Sequence, residues 1–441
     1  MKVWLLKISE AWIEPGNKKR LYRVGMLAEA LAARGHDVTW FNSIFDHVQK
    51  RNRDIPGGVL KSSERITMQG LRGCTYTKSR SFGRLRHHLQ TAADFRRLAE
   101  QRHPPDIIYC SWPTVDLAWE AVRYGRAHGV PTVIDIRDLW PEVVADVAPD
   151  AVRPLVRLIL QPYYIAARKA LRQSTVVIGI TEGMLQWALD FAGRERGEWD
   201  QVFPLGYLET QAAAENPAAE QYWAERDVRG GPDQFVACYS GLFPKRIDLL
   251  TVVAAARLLH EKGERNVKFV LCGTGDLEPA LREAAAGLDN VVLTGWIEHP
   301  IIKALAPKCS VALFPYPPRF DWIRNLPNKF FEYIAEGMPI VSCLEGEVQR
   351  QIEQNDCGVM YKVGDPHDLV RVLLRVRADP AWQQSMSANA RTLAGRFDAT
   401  RVYADLVTHL ETIAKAHAGA ARQRAAVGGR PANGAALASS R

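Results

Sequence analysis

The chain has 441 residues, of which 47% are hydrophobic and 24% are charged, and this ordinary globular composition excludes wholesale disorder and a fibrous repeat. Its length exceeds the usual size of one hydrophobic core, so we expect two domains. The net charge is +8, and residues 50–97 carry twelve Lys or Arg against three Asp or Glu. This basic stretch is either a binding surface for nucleic acid, anionic lipid or a pyrophosphate group, or a solvated surface.

The sequence favours a cytoplasmic protein. No apolar run reaches the roughly 18 residues that cross a membrane. The first apolar run breaks at Lys7 and Glu10, which predicts a first strand rather than a signal peptide. The seven cysteines form no C-x-x-C pair and several lie in apolar runs, so small buried thiols in a reducing compartment are expected.

The first half of the chain alternates β-like and helical stretches, which predicts βαβ units around a parallel sheet. Residues 48–86 interrupt this rhythm and are interpreted as an extra hairpin or a loop. The predicted strands cover residues 3–8, 38–42, 107–110, 132–136 and 175–180, and the predicted helices cover residues 21–34, 89–101, 115–128 and a segment from 181.

Residues 151–172 combine apolar, aromatic and basic side chains. The pattern suits either packing between domains, which we favour, or a membrane surface. Peripheral contact with the inner face of the plasma membrane is therefore a second expectation, and the basic stretch at residues 50–97 would share it.

The rhythm restarts after a domain boundary near Gly206, which predicts a second doubly wound domain. We expect residues 398–416 to form a last amphipathic helix and residues 419–441 to form a disordered tail. The predicted strands are 234–240, 268–272, 291–294, 310–315 and 339–343, and the predicted helices are 249–261, 277–286, 301–306, 329–336, 348–355, 366–377 and 381–396.

Two turns of the second domain are suited to holding an anion, because ligands of parallel sheets bind where strands end and helices begin. Gly241 follows the first strand of this domain, and Lys245 and Arg246 come a few residues later. Gly273 and Gly275 follow the next strand, where an ordinary tight turn is the alternative interpretation.

The third turn is the most specific feature of the sequence. Pro327 and Asn328 begin a predicted helix, with Lys329 at its mouth and Glu332 one turn further on. The ammonium could hold a diphosphate and the carboxylate could hold ribose or sugar hydroxyls. An ordinary amphipathic surface helix is the alternative.

Together these segments resemble the GT-B glycosyltransferases of family 4, over nearly the whole chain to about residue 416. The run from Ile136 to Glu142, with Arg137, Asp138 and Trp140 inside it, looks like the bacterial polysaccharide branch that handles N-acetylated aminosugars such as fucosamine. The resemblance implies an α/β fold with two Rossmann-like doubly wound domains facing a cleft. Residues 1–206, joined by the helix 398–416, would bind the acceptor, and residues 207–397 would bind the nucleotide sugar.

The resemblance also implies roles for individual residues on the donor side. Glu332 matches the second acid of the family's Glu-x7-Glu motif, but Arg324 stands where the first acid belongs, and Asp321 is the nearest carboxylate. The catalytic set would include Lys245, Arg246, Glu332 and Asp138. The donor set would comprise Gly241, Gly273, Gly275, Asp321, Asn328, Lys329 and the base-flanking pair Trp296 and Ile297.

On the acceptor side the resemblance points to Gly16, Asn17 and Arg137, with Asp138 either orienting hydroxyls or capping the helix that Pro141 begins. We find no Asp-x-Asp pair for Mg²⁺, so we expect a metal-independent enzyme without a cofactor, in which fixed cations neutralise the leaving group. The expected partners are a nucleotide-sugar donor, UDP-linked, and a saccharide or polyprenyl-pyrophosphate-linked acceptor. The family implies retention of the anomeric configuration.

Two other functions remain open. A nucleotide-sugar epimerase shares the two-domain architecture and the diphosphate-binding turns, but it would act without an acceptor. A non-enzymatic nucleic-acid-binding protein would use the basic stretch. No recognised nucleic-acid motif accompanies that stretch, so no nucleic-acid partner is expected.

Overall fold

A computed structural model of the chain describes residues 1–16, 21–47, 49–77, 81–146, 151–207 and 216–428, with side chains as far as residue 420. The chain divides into two compact units. The first comprises Met1–Ile180, Leu185–Phe203 and the described part of Tyr403–Arg441, and the second comprises Thr181–Met184 and Pro204–Val402.

The described residues of the first unit form a seven-stranded sheet in the order β5-β6-β2-β1-β7-β8-β9. Strand β5 is antiparallel to β6, and the other neighbours pair in parallel. From β6 to β9 this is the Rossmann order, with the switch point between β1 and β7. The strands are β1 Lys2–Leu6, β2 Asp37–Ser43, β3 Phe45–Asp46, β4 Arg51–Asn52, β5 Val59–Lys61, β6 Ile66–Leu71, β7 Ile107–Ser111, β8 Thr132–Ile136 and β9 Val176–Gly179.

Helices connect these strands, as the alternating pattern predicted. Strands β7 and β8 are buried along their whole length, which is typical of parallel strands covered on both faces. The helices are α1 Arg23–Ala33, α2 Phe82–Ala99, α3 Val115–His128, α4 Glu142–Asp146, α5 Arg153–Ile159, α6 Gln161–Gln173 and α7 Glu182–Ala192.

The segment 48–86 contains a hairpin, one of its two predicted forms, because β5 pairs antiparallel with β6. It holds β5 and the parallel strand β6, and its end begins α2, seven residues before the predicted start. Ser81 explains the early start, because its side chain accepts a hydrogen bond from the Arg84 N–H and so caps the first turn.

The described residues of the second unit form a six-stranded parallel sheet in the order β12-β11-β10-β13-β14-β15. This is again the Rossmann order, with the switch point between β10 and β13. The two sheets confirm the predicted pair of Rossmann-like folds. The strands are β10 Phe235–Ser240, β11 Val267–Cys272, β12 Val291–Gly295, β13 Val311–Phe314, β14 Ile340–Ser342 and β15 Gly358–Met360.

Short polar caps fix the start of several helices in this unit. Asp248, Asp365 and Asp379 each accept backbone N–H bonds at the first turn of a helix. The helices are α8 Pro217–Ala224, α9 Leu249–Glu261, α10 Glu278–Ala284, α11 His299–Leu305, α12 Asn328–Ala335, α13 Glu347–Asn355, α14 Pro366–Ala378 and α15 Pro380–Ala394.

The last helix, α16, spans Ala399–Gly428 and joins the first unit from Tyr403 onward. Within that unit Glu411 contacts His36 at 2.7 Å and Arg34 at 3.3 Å. The prediction that the chain is disordered from residue 419 is wrong as far as Gly428. The alanines there are strong helix formers, so the helix continues without an apolar face. Residues 429–441 lie outside the described residues.

No helix in the described part of the chain combines the length and the apolar character needed to cross a membrane. Cys110, Cys238, Cys272, Cys343 and Cys357 are buried free thiols. The prediction of small buried thiols is confirmed for these five, whereas Cys74 and Cys309 are partly accessible.

Candidate functional site

The loops after β10 and β11 interlock at the carboxyl edge of the second unit's sheet. The Gly241 N–H donates to the Cys272 carbonyl at 2.8 Å, and the Phe243 N–H donates to the Thr274 carbonyl at 2.8 Å. A Cβ at Gly273 would collide with the Gly241 carbonyl, and one at Gly275 would collide with the Phe243 backbone. Because glycine has no side chain, the backbones of the two loops can approach this closely. The loop after β10 therefore lies at the switch point between β10 and β13.

Lys329 and Glu332, one helical turn apart on α12, form an ion pair beside Gly241. The Lys329 Nζ lies 3.3 Å from the Glu332 Oε2 and 3.5 Å from the Ser240 Oγ. A Cβ at Gly241 would meet the Lys329 side chain. Residues from two separate turns are therefore brought together around one half-exposed ammonium at the mouth of a helix.

Arg246 belongs to the same edge of the sheet. Its guanidinium lies 5.5 Å from the centre of the Trp322 ring, and its side chain is exposed. Burial raises the pKa of Tyr316, while Glu332 raises it further and Arg246 lowers it, so both charges lie near that hydroxyl. Lys245 is exposed as well. The structure thus gathers Arg246, Tyr316 and Glu332 around one edge of the sheet.

Trp296 and Ile297 follow the edge strand β12. The Gly273 N–H donates to the Gly295 carbonyl at 2.9 Å, so this pair starts next to the glycine loop. The Trp296 side chain is 73% exposed, whereas Ile297 packs against the core of the unit. An exposed indole beside the loop is suited to stacking against a planar ring.

The segment before α12 resolves the position of the unexpected arginine. The Arg324 guanidinium packs on the Phe320 ring at 4.3 Å and donates to the Phe320 carbonyl at 2.9 Å. Asp321 lies 3.5 Å from Arg319, with which it forms an ion pair. Asn328 is the first residue of α12 and is exposed. The replacement of the first acid by Asp321 stays a hypothesis.

In the first unit, Arg137 follows β8 and forms an ion pair with Glu10, which follows β1. The Arg137 Nη1 donates to the Glu10 Oε1 at 2.7 Å and to the Ser111 Oγ at 3.3 Å. The Val24 N–H, at the start of α1, donates to the Glu10 Oε2 at 3.2 Å. Burial lowers the pKa of Arg137, but Glu10 and Asp135 outweigh it and raise the pKa above its usual value.

A fully buried ion pair lies close to this group. Arg23 on α1 donates to both carboxylate oxygens of Asp135, at 2.8 Å and 3.0 Å, and to the Phe203 carbonyl at 2.9 Å. The Tyr109 hydroxyl donates to the same carboxylate at 2.6 Å. These bonds join α1, β7, β8 and the segment at Phe203. They support the loop that carries Arg137 and Asp138.

The remaining acceptor-side residues lie on the loops around this support. The Asp138 Oδ1 accepts from the Leu139 N–H at 2.8 Å, in the turn that precedes α4. Gly16 has a positive φ of 75° and open space around its Cα. Asn17 lies outside the described residues.

Sequence reasoning missed Tyr316, Tyr333, Lys7 and Ser111 as members of the two groups. The Tyr333 hydroxyl accepts from the Ser240 N–H at 3.2 Å, which ties α12 to the loop after β10. Their positions directly after strands were the available signal for Lys7 and Tyr316. Within the part of the chain that the structure describes, no three His, Cys, Asp or Glu side chains cluster in a way that could hold a metal ion.

Two family models match the chain. Residues 22–204 match the glycosyl transferase 4-like domain, and residues 234–379 match the glycosyl transferases of group 1. The amylovoran biosynthesis glycosyltransferase AmsK of Erwinia amylovora is 28% identical over 167 residues, or 37% of this chain. The matched part spans 41% of the length of that relative.

Solved structures share the fold over nearly the whole chain. A sucrose-phosphate synthase from Thermosynechococcus elongatus superposes with a TM-score of 0.68 and 18% identity, covering 94% of this chain and all of the other. The HepE protein of Anabaena, solved in complex with UDP, gives a TM-score of 0.62 and 15% identity, covering 93% of this chain and all of the other. At identities this low, the matches establish a shared fold and nothing more specific.

Proposed function

Since the chain belongs to the family 4 glycosyltransferases of the GT-B fold, we propose that it moves a sugar from a nucleoside-diphosphate donor to a saccharide acceptor. The donor is UDP-linked, the acceptor is carried on a polyprenyl diphosphate, and the product is a cell-surface polysaccharide. HepE was solved in complex with UDP, which supports the donor, and AmsK is an amylovoran biosynthesis glycosyltransferase, which supports the polysaccharide product. Membership in this family favours transfer over epimerisation or nucleic-acid binding.

The observation that carries the proposal is the ion pair of Lys329 and Glu332 beside Gly241. In a Rossmann sheet a diphosphate binds at the switch point, next to loop backbone and a helix N-terminus. Lys329 stands at the mouth of α12 and Glu332 lies one turn in, 3.3 Å away. The ammonium would bind the donor diphosphate, and the carboxylate would accept hydrogen bonds from ribose hydroxyls.

Charge stabilisation would supply most of the catalysis. As the bond between the anomeric carbon and the diphosphate oxygen breaks, negative charge grows on the leaving group and positive charge on the sugar. Lys329, Arg246 and Lys245 are fixed cations for that negative charge, so no metal ion or cofactor is needed.

The configuration at the anomeric carbon is retained if the acceptor attacks from the same face from which the diphosphate departs. The acceptor oxygen forms a bond to the anomeric carbon, and its proton passes to the departing phosphate oxygen. Asp138 and Arg137, on the loop after β8, would orient acceptor hydroxyls, with Gly16 and Asn17 on the loop after β1. Product analysis that finds inversion at the anomeric carbon would exclude this course.

The test compares Glu332 on α12 with Glu336, the residue that directly follows this helix. Glu332 and Glu336 have equal side-chain exposure, 34% each, but only Glu332 pairs with Lys329. We expect UDP to raise the Tm of the wild type and of Glu336→Gln. Glu332→Gln should bind UDP about tenfold or more weakly, because a hydrogen bond to a charged group is lost.

Donor hydrolysis provides the second readout of the same variants. UDP-sugar hydrolysis should fall in Glu332→Gln and persist in Glu336→Gln. If UDP, GDP and ADP all leave the Tm of the wild type unchanged, the proposed donor class is wrong.

A lipid-linked acceptor requires access to a membrane surface, and α5 provides a candidate. Leu158 is 69% exposed and Ile159 is 62% exposed, while Arg153 and Arg157 lie on the same short helix. Helix α5 has no buried residue, whereas the Tyr163 ring on α6 lies 6.4 Å from the Trp140 ring within the first unit. Packing between domains stays an expectation for this segment. We assign α5 to peripheral contact with anionic lipid.

A further inference from the structure

A group of basic side chains lies at the carboxyl edge of the first unit's sheet. Lys7 directly follows β1, and Arg84 and His88 lie one turn apart on α2. Trp140 lies on the loop after β8. We call Lys7, Arg84 and His88 the cation cluster. It stands next to the switch point between β1 and β7, where Rossmann sheets bind their ligands.

The Trp140 indole joins two members of the cation cluster. The Arg84 guanidinium lies 4.9 Å from the centre of the Trp140 ring, and the His88 ring lies 6.1 Å from it. The Trp112 Nε1–H, on the loop after β7, donates to the Trp140 carbonyl at 3.2 Å. This hydrogen bond fixes the backbone of Trp140. The indole presents one face to the Arg84 guanidinium.

The electrostatics of the cation cluster favour an anion. Burial, followed by the effects of Arg84, His87, Lys7 and His47, lowers the pKa of His88 to about 3. The His88 side chain is 2% exposed, and its Nδ1 has no hydrogen-bond partner among the described residues. The imidazole is therefore neutral at neutral pH, and the positive charge of the cation cluster comes from Arg84 and Lys7.

The pKa of Lys7 is lowered as well. Burial and then Arg137 lower it, Glu10 opposes them, and the resulting pKa is about 8. The Glu10 carboxylate is shared, because it also accepts from Arg137 at 2.7 Å. Positive charge that is held partly out of water costs free energy, and a bound anion with two or more charges would offset that cost.

We propose that the cation cluster is the binding site for the phosphate groups of the acceptor. The proposal rests on the proposed function and deepens it, because it names the charged part of the acceptor and the residues that hold it. Arg84 would form paired hydrogen bonds to phosphate oxygens, and Lys7 would supply a point charge. His88 would lie behind them as a neutral imidazole.

Two kinds of acceptor carry this charged group: a diphosphate attached to a hydrocarbon chain and a free sugar phosphate.

The experiment measures binding of inorganic pyrophosphate to the full-length chain by calorimetry, with UDP present to occupy the donor site. We expect Arg84→Gln and Lys7→Gln each to weaken the UDP-insensitive binding about tenfold, the value of one charge-assisted hydrogen bond. The matched control is Arg86→Gln, which removes an exposed arginine from the same helix and should bind as the wild type does.

Equal pyrophosphate affinity in wild type, Arg84→Gln and Lys7→Gln would overturn the proposal, and so would a wild type that binds no pyrophosphate beside UDP. The Tm shift with UDP is measured on the same samples. If UDP stabilises all variants while Arg84 has no effect, the acceptor site is wrong and the donor proposal stands. If UDP stabilises none, the donor proposal fails independently.

Vesicles distinguish the two sources of the phosphate. Phosphatidylcholine vesicles with and without polyprenyl diphosphate are tested for Arg84-dependent binding, and pyrophosphate is added as a competitor. Binding that requires the diphosphate lipid and yields to pyrophosphate identifies a lipid carrier. Arg84-dependent binding of pyrophosphate without vesicle binding supports the same site with a free sugar phosphate.

Discussion

Arg23 and Asp135 form a two-pronged ion pair with both side chains fully buried, and their atoms lie 2.8 Å and 3.0 Å apart. Removing one partner leaves a buried charge without its counter-ion. We expect Asp135→Asn to lower the free energy of unfolding by about 3–5 kcal/mol in urea denaturation. The exposed pair of Asp37 and Arg65 is the control, and Asp37→Asn should change stability by about 0.5 kcal/mol or less. Similar losses in both variants would contradict the assigned role of the buried pair.

Lys329→Gln tests the charge that stabilises the leaving group. Loss of one fixed donor at a developing charge typically lowers kcat about 100-fold or more. Lys303→Gln is the matched control, because Lys303 on α11 pairs at 4.0 Å with Glu336, the residue after α12, and not with Glu332. Steady-state sugar transfer should show the loss in kcat for Lys329→Gln only. An effect confined to KM would mean that Lys329 contributes to binding and not to the chemical step.

Leu158→Glu tests the membrane-facing surface of α5. Co-sedimentation with anionic vesicles should weaken about tenfold or more, because one large apolar contact is lost and a repelled charge is added. Leu250 on α9 is 43% exposed in the other unit and provides the control substitution Leu250→Glu. Vesicle binding that does not depend on anionic lipid would eliminate this surface as the membrane contact.

Lys7→Met tests the cost of a buried ammonium. The pKa of Lys7 is lowered from 10.5 to about 8, first by burial and then by Arg137, while Glu10, Asp135 and Cys110 raise it. Between those two values the unfolded chain keeps a proton that the folded chain has lost, so stability rises with pH across that window. Below about pH 8 the full cost is present.

We therefore expect Lys7→Met to raise the free energy of unfolding at neutral pH by up to about 3 kcal/mol and to flatten its rise above pH 8. Urea denaturation at several pH values measures both effects. Lys2→Met, at the exposed first position of the strand that Lys7 follows, should leave the pH dependence unchanged. A destabilised Lys7→Met at neutral pH would contradict the assignment.

The fold could be predicted where the sequence repeats a local pattern. Helix α3 and strand β8 have the predicted bounds, Val115–His128 and Thr132–Ile136, because both have long apolar periods and clear ends. Strand β6, Ile66–Leu71, was missed: its six residues include Gln69 and Gly70, and its burial comes from neighbouring strands. Contacts with neighbouring strands determine where such a strand forms, and the β-propensity of its own residues does not.

The donor group was predictable because its members share short stretches of sequence. Lys329 and Glu332 are three residues apart, and the glycines directly follow strands. The ion pair of Glu10 and Arg137 joins positions 127 residues apart, and the local run that singled out Arg137 gives no sign of its partner Glu10. Single charged residues on separate loops are brought together only by strand order.

The path of α16 has a consequence for the order in which the chain is made. The first unit contains residues from Met1 and also residues from Tyr403 onward, with the second unit between them. On the ribosome, the amino-terminal unit is therefore started first and completed last. His36 gains its partner Glu411 only after the whole second unit has emerged. The first unit therefore cannot be completed until the second unit has been synthesised.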